Sequence, residues 1–194
     1  GLFNNQIDDL KVTSDYYNPE GKLSFASLAQ EINGIPVFQG EVRAGFAADG
    51  RIIRIINNLV PDIDPATVDS DFGDPAAAVG ISAKNIGHSL SPEQQTVNSR
   101  FSDSNKVVFG NGDWAVTAEK VYFPTEPGIA VPSWAVIIWQ PRNAYFLITD
   151  ARNGVVLWRK NITEDQTQAA TYNIWANPNA MINVAESPFP FTPG

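Results

Sequence analysis

Residues 30–61 read QEINGIPVFQGEVRAGFAADGRIIRIINNLVP, and this stretch decides the fold. It holds two tight-turn signals, Asn33-Gly34 and Asp49-Gly50, each flanked by extended apolar sequence. Asn33-Gly34 suits a two-residue hairpin loop, in which both central positions need positive φ, and Asp49-Gly50 marks a second turn. Between the turns, Phe38, Val42, Ala44 and Phe46 fall on one side of an extended chain, and Gln39, Glu41 and Arg43 on the other. That alternation predicts a strand over 37–47 with one wet face. The segment after the second turn, 51–59, is Ile-rich on both faces. That is the pattern of an inner strand covered on both sides.

Working outward, two further extended segments precede the stretch. Residues 10–17 end at the turn tetrad Asn18-Pro19-Glu20-Gly21, and residues 23–32 end at Asn33-Gly34. On the C-terminal side, 62–73 is rich in Pro, Asp and Ser and reads as a linker. A helix is expected next. Asp74 is placed as its N-cap, Pro75 at its first position, and Gly87 as its stop. Ala76, Val79, Ala83 and Ile86 recur at helical spacing. Ser91-Pro92-Glu93-Gln94 repeats the start signal for a second, short helix, with Gln94 placed for a capping box. Strands are expected over 106–109, 114–123, 133–140, 144–150 and 155–160, separated by turn-forming dipeptides and tripeptides. Residues 163–194 lose the alternation and read as an irregular tail or connector. The expected fold class is α+β, with two small antiparallel subdomains and a helix packed across the second sheet. The boundaries are 1–61, linker 62–73, 74–162 and tail 163–194.

Composition narrows the function classes. The chain has 194 residues and 43% hydrophobic content, enough for a packed core. Thirteen Lys and Arg against twenty-one Asp and Glu give a net charge of -8. The charges are evenly spread, which argues against nucleic acid, since phosphate binding needs clustered cations. It also argues against anionic membranes. The longest apolar run, Trp134-Ala135-Val136-Ile137-Ile138-Trp139, is too short to span a bilayer. There is no cysteine, one histidine and no His-Glu-x-x-His. No residue set for a zinc site is therefore present, and no catalytic, cofactor-binding or metal-ligating residue is assigned. The ends, Gly1 and the Pro-Phe-Pro-Phe-Thr-Pro-Gly run closing at Gly194, read as cuts in a longer precursor.

The first half resembles the propeptide domain of secreted fungalysin- and thermolysin-type zinc metallopeptidases. The residues that carry the resemblance are Asn33-Gly34, Ile35-Pro36-Val37-Phe38, Asp49-Gly50-Arg51-Ile52 and the closing Asn58-Leu59-Val60-Pro61. The second half is similar to a PepSY-type domain, on the Ala-rich helical stretch 74–87 and the run Asp150-Ala151-Arg152-Asn153-Gly154-Val155-Val156-Leu157. Residues 170–175, with Tyr172 and Trp175, resemble the segment where the mature portion of a fungalysin begins. The resemblance implies a cystatin-like or PepSY-like second subdomain, with the helix packed across its sheet. It also implies a secreted, extracellular or periplasmic precursor, no cofactor in this chain, and zinc in a catalytic domain outside it. The implied partner is that catalytic domain, restrained by an intramolecular inhibitor and folding assistant. Tyr172 and Trp175 would belong to a partner-contact or processing tail.

Other residues have competing readings. His88 follows Gly87 at a helix end, where the helix dipole favours a cation. A structural role is expected there, because a general base needs a spatial partner. Asp62, Asp64, Asp69, Asp71 and Asp74 read either as a calcium cluster or as a solvated linker with a helix cap. The spacing lacks an EF-hand's glycine and final glutamate, which favours the linker. Trp134, Trp139, Trp158 and Trp175 could line a sugar- or peptide-binding groove, but strand aromatics are more often core. Asn33, Gly34, Pro36, Val37, Phe38, Asp49, Gly50, Asp150 and Gly154 are expected to shape turns and a contact surface. Asn161-Ile162-Thr163 is a glycosylation sequon. The alternative to a propeptide is a stand-alone PepSY-type binding or regulatory module of a cell-surface or secreted protein. An enzyme is the weakest reading, because no convergent site is visible.

Overall fold

The computed structural model describes residues 10–163. The expected strands are present, with small shifts at their ends. Strands β1 (Leu10–Asn18), β2 (Leu23–Ile32), β3 (Ile35–Phe46) and β4 (Ile52–Asn57) come first. Helix α1 (Pro75–Asn85) follows, then β5 (Lys106–Phe109), β6 (Val116–Glu126), β7 (Ile129–Trp139), β8 (Ala144–Asp150) and β9 (Val156–Asn161). The fold class is α+β.

Local chemistry explains the boundaries. Asn33 and Gly34 take φ of 53° and 77°, so the two-residue loop joins β2 to β3 as its sequence requires. Asp74 accepts a hydrogen bond from the Ala76 N–H at 2.9 Å, and Pro75 opens α1. Gly87 closes it at φ 64°, where the Gly87 and His88 N–H groups reach the Lys84 and Ala83 carbonyls. That pair of bonds is a Schellman motif. The expected capping box is present too: Ser91 Oγ accepts from the Gln94 N–H at 3.2 Å, and Gln94 Oε1 accepts from the Ser91 N–H at 3.1 Å. The turn it starts is only three residues of 3-10 helix, Glu93–Gln95. Trp114 belongs to another 3-10 turn and is exposed, so β6 begins two residues later than the sequence pattern implies.

The strands form one mixed sheet in the order β1-β2-β3-β6-β7-β8-β9, with β4 beside β3 and β5 beside β6. Neighbours are antiparallel except at β3 and β6, which meet in parallel at Val37 and Tyr122. The 62–73 segment is therefore a compositional boundary across which both sheet and core continue. Helix α1 lies on one face of the second half and buries Ala78, Val79, Ser82 and Ala83. Ala76, the first residue of the expected helical stripe, is exposed instead. Beneath the helix lie Phe109, Val116, Ala118, Tyr122, Trp134, Val136 and Ile138, and the same cluster takes in Ile32, Val37 and Ile63. Ser82 and Thr149 satisfy each other there at 2.9 Å, so the buried hydroxyls are not orphaned.

One expectation fails. The Ile-rich segment after Asp49-Gly50 is not an inner strand covered on both sides. Every residue of β4 is exposed, with Ile52, Ile53 and Ile55 at 55%, 58% and 54%. The reason is topological: β4 pairs with β3 alone, and α1 covers the other half of the sheet. Apolar character on both faces marks a strand that can be covered, and it does not supply the cover.

Candidate functional site

The segment singled out by sequence becomes the joint between the two halves. β3 pairs with β2 at Ile35 and Pro36 and again from Glu41 to Phe46, and the pairing breaks between them. Residues 37–40 bulge away from β2, and Gln39 takes φ of 56°. The bulge sends successive side chains to opposite faces of the second-half sheet. Val37, 4% exposed, enters the core under α1 next to Tyr122. Phe38 packs on the opposite face, stacked on Phe123 at 5.4 Å and edge-on to Trp158 at 5.2 Å. Phe146 closes the cluster, 6.2 Å from Phe38 and 5.4 Å from Trp158. Pairs at these separations add to simple area burial.

A second tie sits beside it. Gln30 is 1% exposed, and its amide pairs with the backbone of Val60: Nε2 donates to the carbonyl at 3.0 Å, and Oε1 accepts the N–H at 2.8 Å. The side chain imitates a strand partner for the chain leaving β4. Gly40 leaves the room this needs, since a Cβ there would sit 3.0 Å from Gln30 Oε1 and from Val37 Cβ. Sequence reasoning passed over Gln30, because a polar residue near a strand end carries no signal of burial. Asn33 adds a contact from its turn, donating through Nδ2 to the Pro65 carbonyl at 3.3 Å. Pro36 is exposed on β3. Asp49 and Gly50 only turn the chain: Asp49 Oδ1 accepts the Arg51 N–H, and Gly50 takes φ of 81°.

Asp150 and Gly154 lie far along the chain and build the β8–β9 turn. The Asp150 carboxylate, 4% exposed, accepts from the Arg152 N–H at 2.8 Å, from Arg152 Nη2 at 3.2 Å and from Asn153 Nδ2 at 3.1 Å. Burial pushes its pKa up, but the Arg152 side-chain and backbone bonds outweigh it and hold the carboxyl below its ordinary value. Gly154 takes φ of 72°, and a Cβ there would meet Ile81 Cδ1 of α1 at 2.6 Å. The turn thus docks against the helix. Tyr172 and Trp175 lie outside the described residues.

The remaining candidates take structural places. Asp64, Asp69, Asp71 and Asp74 each accept a backbone N–H two residues on, which makes them turn and cap residues. Among the described residues, no group of three His, Asp or Glu could hold a metal ion. Trp134 is core: it is 2% exposed and its Nε1 donates to the Phe72 carbonyl at 2.6 Å. Trp139 is exposed, and Trp158 belongs to the Phe38 cluster. His88 Nε2 lies 3.3 Å from Gln94 Oε1, and Gln94 Nε2 donates to the Trp114 carbonyl. That chain anchors the helix exit. It offers no nucleophile for His88 to activate.

The joint is thus made by Val37, Phe38 and Gln30 of one hairpin closing on Val60 and the second half. A family model described as "Fungalysin/Thermolysin Propeptide Motif" matches residues 8–59, which span β1 to β4. Residues 8–59 are a fungalysin/thermolysin propeptide motif. This propeptide motif is a non-catalytic region of peptidase precursors, and it contains Gln30, Val37 and Phe38. No curated protein matches the chain. Among solved structures, the C-terminal domain of Bacillus megaterium YpeB is similar with a TM-score of 0.33 and 12% identity, over 83% of this chain and 60% of that one. A lipoprotein from Clostridium difficile 630 gives 0.26 and 13%, over 82% and 87%. Likeness at that level assigns no function to this chain.

Proposed function

We propose that the chain is the propeptide of a secreted zinc metallopeptidase of the fungalysin type, acting as intramolecular inhibitor and folding assistant. The match of the propeptide motif to residues 8–59 carries this reading. In it, 1–61 is the propeptide-motif subdomain of antiparallel strands, 62–73 a linker, 74–162 a cystatin-like or PepSY-like subdomain, and 163–194 a connector towards the catalytic domain. Zinc belongs to that catalytic domain, and the chain itself is not an enzyme. Release is outside the cell or in the periplasm.

The physical logic supports it. A propeptide is tethered to its target, so the effective concentration is high and modest affinity suffices. It must be rigid enough to present a surface, which the shared core and the Phe38 joint supply. It must also leave apolar surface for its partner, and β4 does so.

The test is inhibition in trans. The purified chain is titrated against the peptidase domain encoded with it, following peptide hydrolysis. Saturable inhibition, or an increased refolding yield of that domain, is expected. If neither occurs at a large excess of the chain, the propeptide reading is wrong and a stand-alone binding module is the better account.

A further inference from the structure

β4 is the least protected strand of the described fold. Ile52, Ile53, Ile55 and Ile56 are all exposed, and β3 is its one strand partner. Its outer edge therefore presents unpaired N–H and C=O groups beside apolar side chains. Soluble proteins avoid this arrangement, because such an edge recruits another strand. Proline and lysine, two of the usual guards, are missing from β4.

The apolar surface continues inward from the edge. β3 places Ala44 opposite Ile55 and Phe46 opposite Ile52, and β2 and β1 extend the same face through Leu28 and Val12. The bulge between Gly45 and Phe46 brings Ile52 and Ile55 to one side despite their odd spacing. The described residues thus contain an exposed strand edge and an adjoining apolar sheet face that is exposed at Ile52, Ile55 and Val12 and half-buried at Ala44, Phe46 and Leu28.

Charge selects the occupant. Arg43 pairs with Glu41 at 2.7 Å and Arg51 with Asp49 at 3.8 Å. Arg54, at the middle of Ile-Ile-Arg-Ile-Ile, has no ion pair among the described residues, in a chain of net charge -8. A second copy pairing antiparallel in the register centred on Arg54 would set Arg54 against Arg54, and like charges directly opposite are destabilising. An extended apolar segment carrying a carboxylate fits both the edge and the charge.

We infer that the outer edge of β4 binds an extended, carboxylate-bearing strand of the peptidase domain, its apolar side chains meeting Ile52 and Ile55 on one sheet face and its carboxylate meeting Arg54 on the other. The inference rests on the propeptide reading and assigns that reading its contact surface.

The experiment compares the full chain with Arg54→Glu, Arg54→Lys, Ile55→Asp and Ile55→Thr in the same inhibition titration. Thermal unfolding of each variant is run alongside. Because the positions are exposed, folding should be retained, and Ile55→Thr keeps a β-branched residue if Ile55→Asp does not fold. Ile55→Asp and Arg54→Glu are expected to weaken inhibition by on the order of tenfold or more. Ile55→Thr should weaken it less, and Arg54→Lys least. Raising the salt should weaken the wild type more than Arg54→Glu. If the wild type inhibits and folded Arg54 and Ile55 variants inhibit equally well, the β4 contact is wrong while the propeptide reading stands. Sedimentation showing a dimer dissolved by Ile55→Thr would assign the edge to a second copy and overturn the inference. A wild type that neither inhibits nor assists refolding removes both.

Discussion

The two halves of the sheet use the same local grammar and end with opposite surfaces. In the second half, β6 to β8 are sandwiched between α1 and the Phe38 cluster, and residues such as Val136, Ile138, Leu147 and Ile148 reach 0% exposure. In the first half, β1 and β4 are almost wholly exposed, although β4 reads Ile-Ile-Arg-Ile-Ile-Asn. What differs is the second layer. A sheet face is buried only when another element covers it, and no element covers β4 within the described fold. The first half is held by its attachments, Val37, Phe38, Gln30 and Asn33. The second half is held by its own core. A surface that must meet a partner is expected on the half that lacks a layer.

The comparison is broken most severely at Trp134. Replacing it with Ala removes a fully buried ring and leaves the Phe72 carbonyl without its donor. A loss of about 3–5 kcal/mol is expected in denaturant unfolding, taking both halves down together. A smaller, more selective effect is expected at Phe38. Phe38→Ala should cost roughly 2–3 kcal/mol, less than a fully buried ring because Phe38 is half-buried. Amide exchange should rise in β1 to β4 while β6 to β8 stay protected. Equal loss of protection in both halves would contradict the joint assigned to Phe38.

Gln30→Leu keeps the volume but leaves the Val60 N–H and carbonyl unpaired, with an expected cost of about 1–3 kcal/mol. Gln30→Glu should be worse at neutral pH, because a carboxylate cannot donate to the Val60 carbonyl. Asp150 sharpens the comparison through pH. Its folded pKa is depressed, so its stabilisation is fully present above the unfolded carboxylate value of about 3.9 and is lost as pH falls through the folded value. Asp150→Asn should flatten the acid limb of the stability profile and leave stability less changed near that limb than at neutral pH. The smallest effect is expected on β4. Ile55→Thr should change stability by no more than about 0.5 kcal/mol, since the side chain meets solvent in both folded and unfolded states.

Much of this fold was legible in the chain. Asn33-Gly34, Asp49-Gly50, Asp74-Pro75, Gly87 and the Ser91–Gln94 box are local chemistry, and each acts where its residues predict. The joint was legible only as a motif. The alternation that placed Phe38 with Val42 and Phe46 on one strand face runs through the bulge at 37–40, which no pattern of two announces. The burial of Gln30 and the exposure of β4 were not legible, because both depend on which element arrives from elsewhere in the chain. Periodicity reports what a face could do, and topology decides whether it is covered.

The most direct test is amide hydrogen exchange of the wild-type chain, measured alone and with a saturating amount of the peptidase domain. The account predicts new protection concentrated in residues 52–57 and the adjoining face of β3, with little change on α1. Protection gained on the α1 face instead, with 52–57 still exchanging freely, would contradict it.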